Sequence, residues 1–279
     1  MITSVTLTGT GTPLPSPGRA GAGTLVRCGE ELIQIDAGRG TVCRLADLNV
    51  SVKELDALFL THHHSDHLMA VPDVLITRWV LGATEPLDVV APAGPLTRFG
   101  RQVLDLWDDD ERVRRLHTGR AAIPRPSWLE FEPSGSVQRV WTGRNLTVEA
   151  VKVEHEPVDP AVAYRVTATD GTVVVVSGDT RVCGQVADLA QGADLLVHEA
   201  VRPALIGSGR TYIAEYHADC VALGGMAAKA GVRRLVLTHL EPSPTTAEEE
   251  RGFADDVRAG GFEGELHVGH DLWTMEVSA

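Results

Sequence analysis

The residues best suited to chemistry form a short histidine-rich segment at 61–67. Four of the chain's 11 histidines lie within it, together with an aspartate. As His-x-His-x-Asp-His, the pattern places His62, His64, Asp66 and His67 directly after the apolar run 57–60. Imidazoles and a carboxylate are ligands that Zn²⁺ binds at about 2.0–2.2 Å, and Mn²⁺ or another divalent metal is the alternative. The segment therefore predicts a metal site. A surface histidine tract is the other interpretation, but a buried strand before the segment and an internal aspartate count against it.

A metal site needs more ligands than one loop supplies, so isolated histidines and aspartates at other strand ends become candidates. Three residues each follow a predicted strand within three positions: His155 after 146–153, Asp179 after 172–177 and His239 after 234–238. Loops at strand ends often carry functional side chains on layered scaffolds. For any one of these residues alone, a structural histidine or a helix-capping aspartate is the better explanation. Together with the histidine segment, they predict one shared site.

The elements that must position these residues are short strands alternating with helices. Predicted strands lie near 5–7, 25–26, 32–35, 57–60, 87–91, 146–153, 162–168, 172–177, 194–198 and 234–238, with two more within 265–276. Predicted helices lie at 41–48, 68–81, 182–191, 218–231 and 246–260. This mixture indicates a layered α/β or α+β domain. We find no internal repeat and no long linker, which favours a single domain.

Residues 100–135 differ from the rest of the chain. They combine Trp107 and Trp128 with a run of acidic residues, a group of arginines and several prolines. We predict a mobile helical excursion followed by a loop, which serves as a lid or helps to select the substrate. The two tryptophans either contact an apolar leaving group or fix the excursion to the domain.

Composition limits the classes of function. The chain has 25 basic and 38 acidic side chains, and its net charge of −13 excludes whole-surface attraction to nucleic acid. No apolar stretch approaches the roughly 18 residues of a membrane helix, and the start of the chain does not resemble a signal peptide. The scattered cysteines form no Cys-x-x-Cys pair. We therefore expect a cytoplasmic protein without membrane partners.

The order of these motifs resembles that of the metallo-β-lactamase-fold hydrolases. The resemblance rests on His62-x-His64-x-Asp66-His67, His155, Ser177-Gly178-Asp179-Thr180 and Leu237-Thr238-His239. Within that superfamily, further segments resemble the tRNase Z and arylsulfatase-like branch: 9–13, 36–41, 177–181 and 198–200. Almost the whole chain is covered, apart from about 100–140.

The resemblance implies an α+β fold, a four-layer αββα sandwich, as one hydrolase domain over 1–279. It also implies two zinc ions per chain. By position, the first ion would be held by His62, His64 and His155. The second would be held by Asp66, His67 and His239, and Asp179 would bridge the two. Two metals about 3.5–4 Å apart can share a hydroxide and aim it at an electrophilic centre.

Two side chains are expected to act in catalysis, Asp66 by positioning the hydroxide and His217 by proton transfer. His217 stands where the tRNase Z group has the histidine of a His-Ser-Thr sequence, although here the triplet is His217-Ala218-Asp219. It could protonate a leaving oxygen or stabilise charge on the reacting group. The alternative is that the triplet only begins a helix. His198 and Glu199 are expected to orient a ligand.

We expect a small ester-type substrate, namely a phosphodiester, an aryl sulfate or a lactone. The first alternative is a tRNA 3′-end processing endoribonuclease. Short tRNase Z enzymes insert a long flexible arm between the equivalents of His155 and Asp179, whereas here only 23 residues separate them. The missing arm and the acidic charge count against nucleic acid, and tRNA stays open as an alternative partner. The second alternative is a metal-binding regulatory protein without turnover, and the intact ligand set counts against it. Relatives of this type are often dimers, which makes a homodimer the implied assembly.

Overall fold

The computed structural model describes residues 2–278, and most of its elements match the strands and helices expected from the sequence. The strands are β1 (Thr3–Gly9), β2 (Gly23–Cys28), β3 (Glu31–Ile35), β4 (Ala57–Phe59), β5 (Asp88–Pro92), β6 (Ser127–Phe131), β7 (Gln138–Thr142), β8 (Leu146–Lys152), β9 (Val162–Ala168), β10 (Val173–Val176), β11 (Leu195–Val201), β12 (Arg234–Glu241), β13 (Glu265–Val268) and β14 (Thr274–Val277). The α-helices are α1 (Thr41–Asp47), α2 (Ser65–Leu68), α3 (Val71–Val80), α4 (Pro95–Gln102), α5 (Asp108–Thr118), α6 (Gly184–Leu189), α7 (Cys220–Lys229) and α8 (Ala247–Ala259).

The strands form two 7-stranded sheets, each part antiparallel and part parallel. The first has the order β14-β1-β2-β3-β4-β5-β6, and its β3–β6 half is parallel. The second has the order β13-β12-β11-β10-β9-β8-β7, and its β10–β13 half is parallel. Parallel strands are buried on both faces and read as continuous apolar runs, which explains why 57–60 and 173–176 stood out in the sequence.

Three apolar cores separate four layers. The middle core lies between the sheets and includes Phe59 and Tyr164. One outer core packs the helices α6, α7 and α8 on the second sheet, with Phe253 fully buried. The other packs α1 and α3 on the first sheet around residues such as Leu58 and Trp79. This is the αββα sandwich expected from the resemblance, as one domain of two mixed sheets flanked by helices.

The excursion at 100–135 contains more regular structure than the sequence indicated. Helices α4 and α5 occupy its first part, but 127–131 forms β6, which pairs in parallel with β5, instead of the expected loop. The ring of Trp128 lies 6.4 Å from that of Phe99 on α4, so this tryptophan joins the excursion to the sheet. Strand β7 was also not expected. Both strands lie at sheet edges, where the polar residues and nearby prolines hide the alternation on which strand prediction depends.

The helix predicted at 68–81 is two helices. A short helix, α2, begins at Ser65 and contains Asp66 and His67, and α3 begins at Val71. Pro72 lies in the first turn of α3, where its missing N–H costs nothing. The break lets α2 turn its histidine and aspartate inward while α3 packs on the sheet. No helix among residues 2–278 is long and apolar enough to cross a membrane.

Candidate metal centre

The predicted site residues lie together where the carboxyl ends of four strands meet between the two sheets. Their loops follow β4 in the first sheet and β8 and β10 in the second, while β12 contributes from within the strand. Gly178 makes the turn after β10 with φ of 60°, and a Cβ there would lie 2.9 Å from Cβ of Thr61. Only glycine suits this position, because it combines positive φ with a close approach. The turn brings Asp179 against the histidine segment.

Asp179 lies at the centre of the cluster and is buried. Its Oδ2 is 3.7 Å from Nε2 of His62 and 3.8 Å from Nε2 of His155. The same oxygen is 3.5 Å from Nε2 of His239, and Oδ1 is 3.4 Å from Nε2 of His67. One carboxylate therefore faces histidines from both expected ligand groups.

The site residues divide into the two groups that the resemblance implied. Ligand atoms of His62, His64, His155 and Asp179 all lie within 4.8 Å of one another, as do those of Asp66, His67 and His239. Within the first group, Nδ1 of His64 is 3.4 Å from Nε2 of His155. Within the second, Oδ2 of Asp66 is 3.2 Å from Nε2 of His239 and 3.6 Å from Nε2 of His67. The structure brings together all seven predicted ligands.

His239 reaches the cluster from a bulge, and not from beyond the end of its strand as expected. Thr238 pairs with Glu199 and Leu240 pairs with Ala200, so His239 has no partner in the ladder. Its φ of 45° is unusual for a residue other than glycine. A bulge of this kind redirects one side chain while the strand continues. It turns the imidazole of His239 towards Asp66 and Asp179.

Three histidines are held so that Nε2 faces the centre of the cluster. Nδ1 of His62 contacts Thr61 Oγ1 at 3.0 Å, and Nδ1 of His67 contacts Asp36 Oδ2 at 2.8 Å. Nδ1 of His155 contacts the carbonyl oxygen of Tyr216 at 3.0 Å. Nδ1 of His62 is the donor because the Thr61 hydroxyl gives its own hydrogen to Asp36. The other two Nδ1 atoms are donors because a carboxylate and a carbonyl oxygen can only accept. The Nε2 lone pairs are then free to bind a cation.

Burial keeps three of the histidines neutral. It lowers the pKa of His62 well below its usual value, lowers that of His155, and lowers that of His64 to about 4. Burial also opposes charge on Asp179, but neighbouring histidines outweigh it and hold the pKa of this carboxyl well below normal. Neutral imidazoles beside an ionised carboxylate are the protonation states of a metal site.

The second group shows the opposite shift on its histidines. Burial disfavours the imidazolium of His67, yet Asp179, Asp36 and Asp66 together raise the pKa of His67 well above normal. Asp179 and Asp66 likewise raise the pKa of His239 to about 9 against the effect of burial. The negative charge of these carboxylates stabilises a positive charge at this position. A divalent cation would be stabilised there in the same way.

Buried polar atoms without a hydrogen-bond partner show whether a cation fits between the ligand groups. Among residues 2–278, Nε2 of His62, Nε2 of His67 and Oδ1 of Asp66 are buried without a hydrogen-bond partner. Leaving such groups unpaired costs about 1–3 kcal/mol each. These three atoms belong to the two ligand groups, whereas other unpartnered buried atoms of the described chain, such as Nε1 of Trp128, lie outside them. The donor set of nitrogens and carboxylate oxygens therefore fits a divalent metal.

His217 lies against the cluster and also beside a helix start. Its Nδ1 is 2.8 Å from Oε1 of Glu199, and its ring stacks on that of His239 at 5.5 Å and 21°. Ligand atoms of His217, His239 and Asp179 lie within 4.8 Å of one another. Burial opposes protonation of His217, but Glu199 outweighs it and raises the pKa. Asp219 caps α7 by accepting from the N–H of Ala222, so the triplet does begin a helix, and the proton-transfer role of His217 stays a prediction.

Glu199 positions His217, where the sequence had suggested that it orients a ligand. The same Oε1 accepts a 2.9 Å hydrogen bond from the N–H of Thr180, next to Asp179. The other half of the predicted pair, His198, is buried, and its Nδ1 lies 2.8 Å from the carbonyl oxygen of Glu199. Glu199 thus ties the Asp179 loop to His217.

Asp36 was missed as a site residue. It is buried, adopts φ of 57°, and accepts from the N–H and the hydroxyl of Thr61 as well as from His67. A single carboxylate therefore holds the start of the histidine segment and one of its imidazoles. The available signal was an aspartate directly after the apolar strand run 32–35, the pattern by which Asp179 was found.

A cavity of about 460 Å³ opens beside His64. Its walls come from 156–158, Arg181, Tyr212, Glu215 and Tyr216. Within the described part of the chain, no residue of 100–135 lines it, and Trp107 has 42% of its surface exposed. The lid role of the excursion stays a prediction.

Comparison with known proteins places the chain in a family. The beta-lactamase superfamily domain matches residues 32–240. The chain is 35% identical, over 98% of both sequences, to Ribonuclease Z of Mycobacterium bovis (strain BCG / Pasteur 1173P2). The metallo-beta-lactamase fold protein YhfI from Bacillus subtilis is 21% identical with a TM-score of 0.78, covering 99% of this chain and 100% of that one. The short form of human tRNase Z is 21% identical with a TM-score of 0.74 and the same coverage.

The two solved structures agree with the fold seen here, and the family match and the 35% identical relative agree with the motif order. The His/Asp cluster supplies the divalent-metal site of that fold. The chain therefore belongs to the metallo-β-lactamase superfamily, in the part of it that includes Ribonuclease Z, and is a metal-dependent hydrolase.

Proposed function

We propose that this hydrolase is a phosphodiesterase that removes the 3′ extension of precursor tRNA, as an endoribonuclease of the Ribonuclease Z type. The observation that carries the proposal is the end-to-end match, at 35% identity, to the mycobacterial Ribonuclease Z. This match supports tRNA 3′-end processing, the alternative, better than it supports the small ester-type substrate expected from the sequence.

The missing arm is no longer an argument against tRNA. The alignment with the mycobacterial relative spans only 280 positions while covering 98% of both chains. An inserted arm of tens of residues in the relative would have lengthened that alignment or lowered the coverage. The relative is therefore named Ribonuclease Z although it lacks such an insertion. In this chain the space between His155 and Asp179 is filled by β9, β10 and their connections.

The proposed ligand roles follow the two groups of the cluster. His62, His64 and His155 would hold one zinc ion and Asp66, His67 and His239 the other, with Asp179 between them. When bound, two such ions polarise a phosphoryl oxygen and lower the pKa of water towards neutrality. Asp66 and Asp179 also fix where an attacking water can sit, because their oxygens face the centre from both groups.

His217 is proposed as the proton donor to the leaving oxygen. Its Nδ1 is occupied by Glu199, so Nε2 faces the cluster and can carry the transferred proton. The hydrogen bond also fixes the ring plane, which lies parallel to His239 within 21°. Proton transfer from a positioned imidazole contributes roughly 10²–10⁴-fold to a rate.

A second candidate is hydrolysis of a small phosphodiester, aryl sulfate or lactone. It is favoured by the cavity beside His64, whose volume of about 460 Å³ suits a small molecule. The net charge of −13 points the same way, because a large polyanion gains nothing from it.

One preparation of zinc-loaded protein can separate the two candidates. Its turnover should be measured on a precursor tRNA, bis-(p-nitrophenyl) phosphate, p-nitrophenyl sulfate and an acyl lactone. The proposal expects one cut at the 3′ end of the mature tRNA, with a kcat/KM well above that for the small diester. Turnover of small esters with intact tRNA would instead support the second candidate.

Four finer expectations belong to the same proposal. Two zinc ions per chain are tested by elemental analysis, and a homodimer by sedimentation equilibrium. The cytoplasmic location is tested by cell fractionation. If the excursion at 100–135 is a lid, its protease sensitivity should fall when precursor tRNA is bound.

A further inference from the structure

We propose that the cavity beside His64 is a nucleobase subsite in which Tyr212 stacks on the base of a nucleotide held at the metal centre. The inference rests on the proposed function, since it concerns the substrate of the same site. His64 belongs to the first ligand group and also lines the cavity. A nucleotide with its phosphate at the cluster can therefore reach the cavity with its base.

Aromatic rings form a row from the rim of the cavity to the cluster. Tyr212 and Tyr216 lie 6.3 Å apart with their planes at 32°. Tyr216 is 4.7 Å from the ring of His217 and 5.4 Å from that of His155. The row leads from solvent to two side chains that face the site. Such a platform suits a flat ring bound next to the reacting phosphate.

The charges around the cavity favour a neutral ring over a phosphate. The cation of Arg181 is already paired with Glu154 at 2.8 Å and with Glu156 at 3.3 Å. Glu215, which also lines the cavity, makes no ion pair among residues 2–278. A phosphate placed here would be repelled by the unpaired carboxylate of Glu215. A nucleobase is uncharged, and its N–H groups can donate hydrogen bonds to a carboxylate.

Tyr212 is the better residue for a test. Its side chain is 53% exposed, and its hydroxyl makes no hydrogen bond within the described part of the chain. Tyr216, by contrast, packs against His217 and its carbonyl accepts from His155. Truncating Tyr212 therefore changes the stacking surface without disturbing the histidines.

The experiment measures binding, independently of turnover. Isothermal titration calorimetry should compare AMP with ribose 5-phosphate on the zinc-loaded protein, because the two ligands differ only by the base. One stacked base contributes enough that AMP should bind about tenfold more tightly. Tyr212→Phe should keep that ratio, whereas Tyr212→Ala should reduce it to below about threefold. Leu81→Ala, which truncates another exposed apolar side chain outside the cavity and outside 100–135, is the control and should keep the ratio.

Equal affinity for AMP and ribose 5-phosphate in the unmodified protein would overturn the subsite, as would an unchanged ratio in Tyr212→Ala. Cleavage of precursor tRNA, assayed on the same preparations, separates this result from the proposed function. Cleavage without a preference for AMP would refute the subsite alone. A Tyr212-dependent preference for AMP without cleavage would support the subsite and refute the tRNA substrate.

Discussion

The carboxylate of Asp36 accepts a 2.8 Å hydrogen bond from Nδ1 of His67, although the two residues are 31 positions apart. It also accepts from both the N–H and the hydroxyl of Thr61 at 2.8 Å. One buried group thus sets the orientation of a predicted metal ligand and the path of the loop that carries three others. The cluster depends on a residue that binds no metal itself.

Replacing Asp36 with Asn should weaken metal binding. Asn removes the charge while keeping the shape, and it tolerates the positive φ found there. Loss of such an outer hydrogen bond typically lowers metal affinity about 10–100-fold. Competition with a chromogenic zinc chelator would measure the change. Asp73→Asn, an exposed change on α3, is the control, and equal zinc affinity in both variants would contradict the role assigned to Asp36.

Replacing Asp179 with Ala should remove metal and activity together. Its two oxygens face histidines of both groups at 3.4–3.8 Å, so no neighbour can replace it. His64→Ala should act in the same direction through the first group alone. Elemental analysis and phosphodiester turnover on the same samples provide the readout, with the exposed Asp188→Ala as control. A fully loaded and active Asp179→Ala protein would show that the cluster is not the centre.

Replacing His217 with Ala should lower kcat about 10²–10⁴-fold while metal content stays near that of the unmodified protein. The reason is its position: a ring nitrogen of His217 lies within 4.8 Å of ligand atoms of Asp179 and His239, and Glu199 holds Nδ1, which leaves Nε2 for proton transfer. His270→Ala, an exposed histidine, controls for the substitution itself. If zinc were lost in parallel with kcat, His217 would be a ligand and not a proton donor.

Replacing Glu31 with Ala should destabilise the whole fold. Its buried carboxylate accepts from the backbone N–H groups of Arg144, Asn145 and Leu146 at 2.6–2.8 Å. These bonds tie the first sheet to the turn before β8. Three backbone donors would lose their partner, one of them buried and two partly buried, at a cost of about 2 kcal/mol or more. Urea unfolding should show the loss, and the exposed neighbour Glu30→Ala should leave the midpoint unchanged; similar midpoints for both would disprove the tie.

The ligands could be predicted from the sequence because their signals are local. A buried strand followed by histidines or an aspartate is visible at His62, and a glycine before Asp179 marks the turn. The bulge at His239 could not be predicted, because it arises from pairing with β11, whose Glu199 lies 39 positions before its partner Thr238. Asp36 follows an apolar strand run, as Asp179 does. Its role could not be predicted, however, because its partners Thr61 and His67 meet it only in the folded sheet.

The excursion at 100–135 could not be fully predicted from the sequence, for a different reason. Residues 127–131 have little apolar alternation and lie among prolines, so their strand becomes evident only from pairing with β5. The cavity beside His64 depends on four separated segments and on the placement of Tyr212 and Tyr216. Neither tyrosine lies in a motif. Their contribution follows from tertiary packing, which spacing along the chain does not reveal.

The most direct test of the account is cleavage of a precursor tRNA by protein that has been stripped of metal and then reloaded. The chelated protein should be inactive, and added zinc should restore a single cut at the 3′ end of the mature tRNA as the metal content reaches about two ions per chain. An RNA left uncut by fully reloaded protein would contradict the proposed substrate. Cleavage that persists without metal would contradict the catalytic role of the cluster.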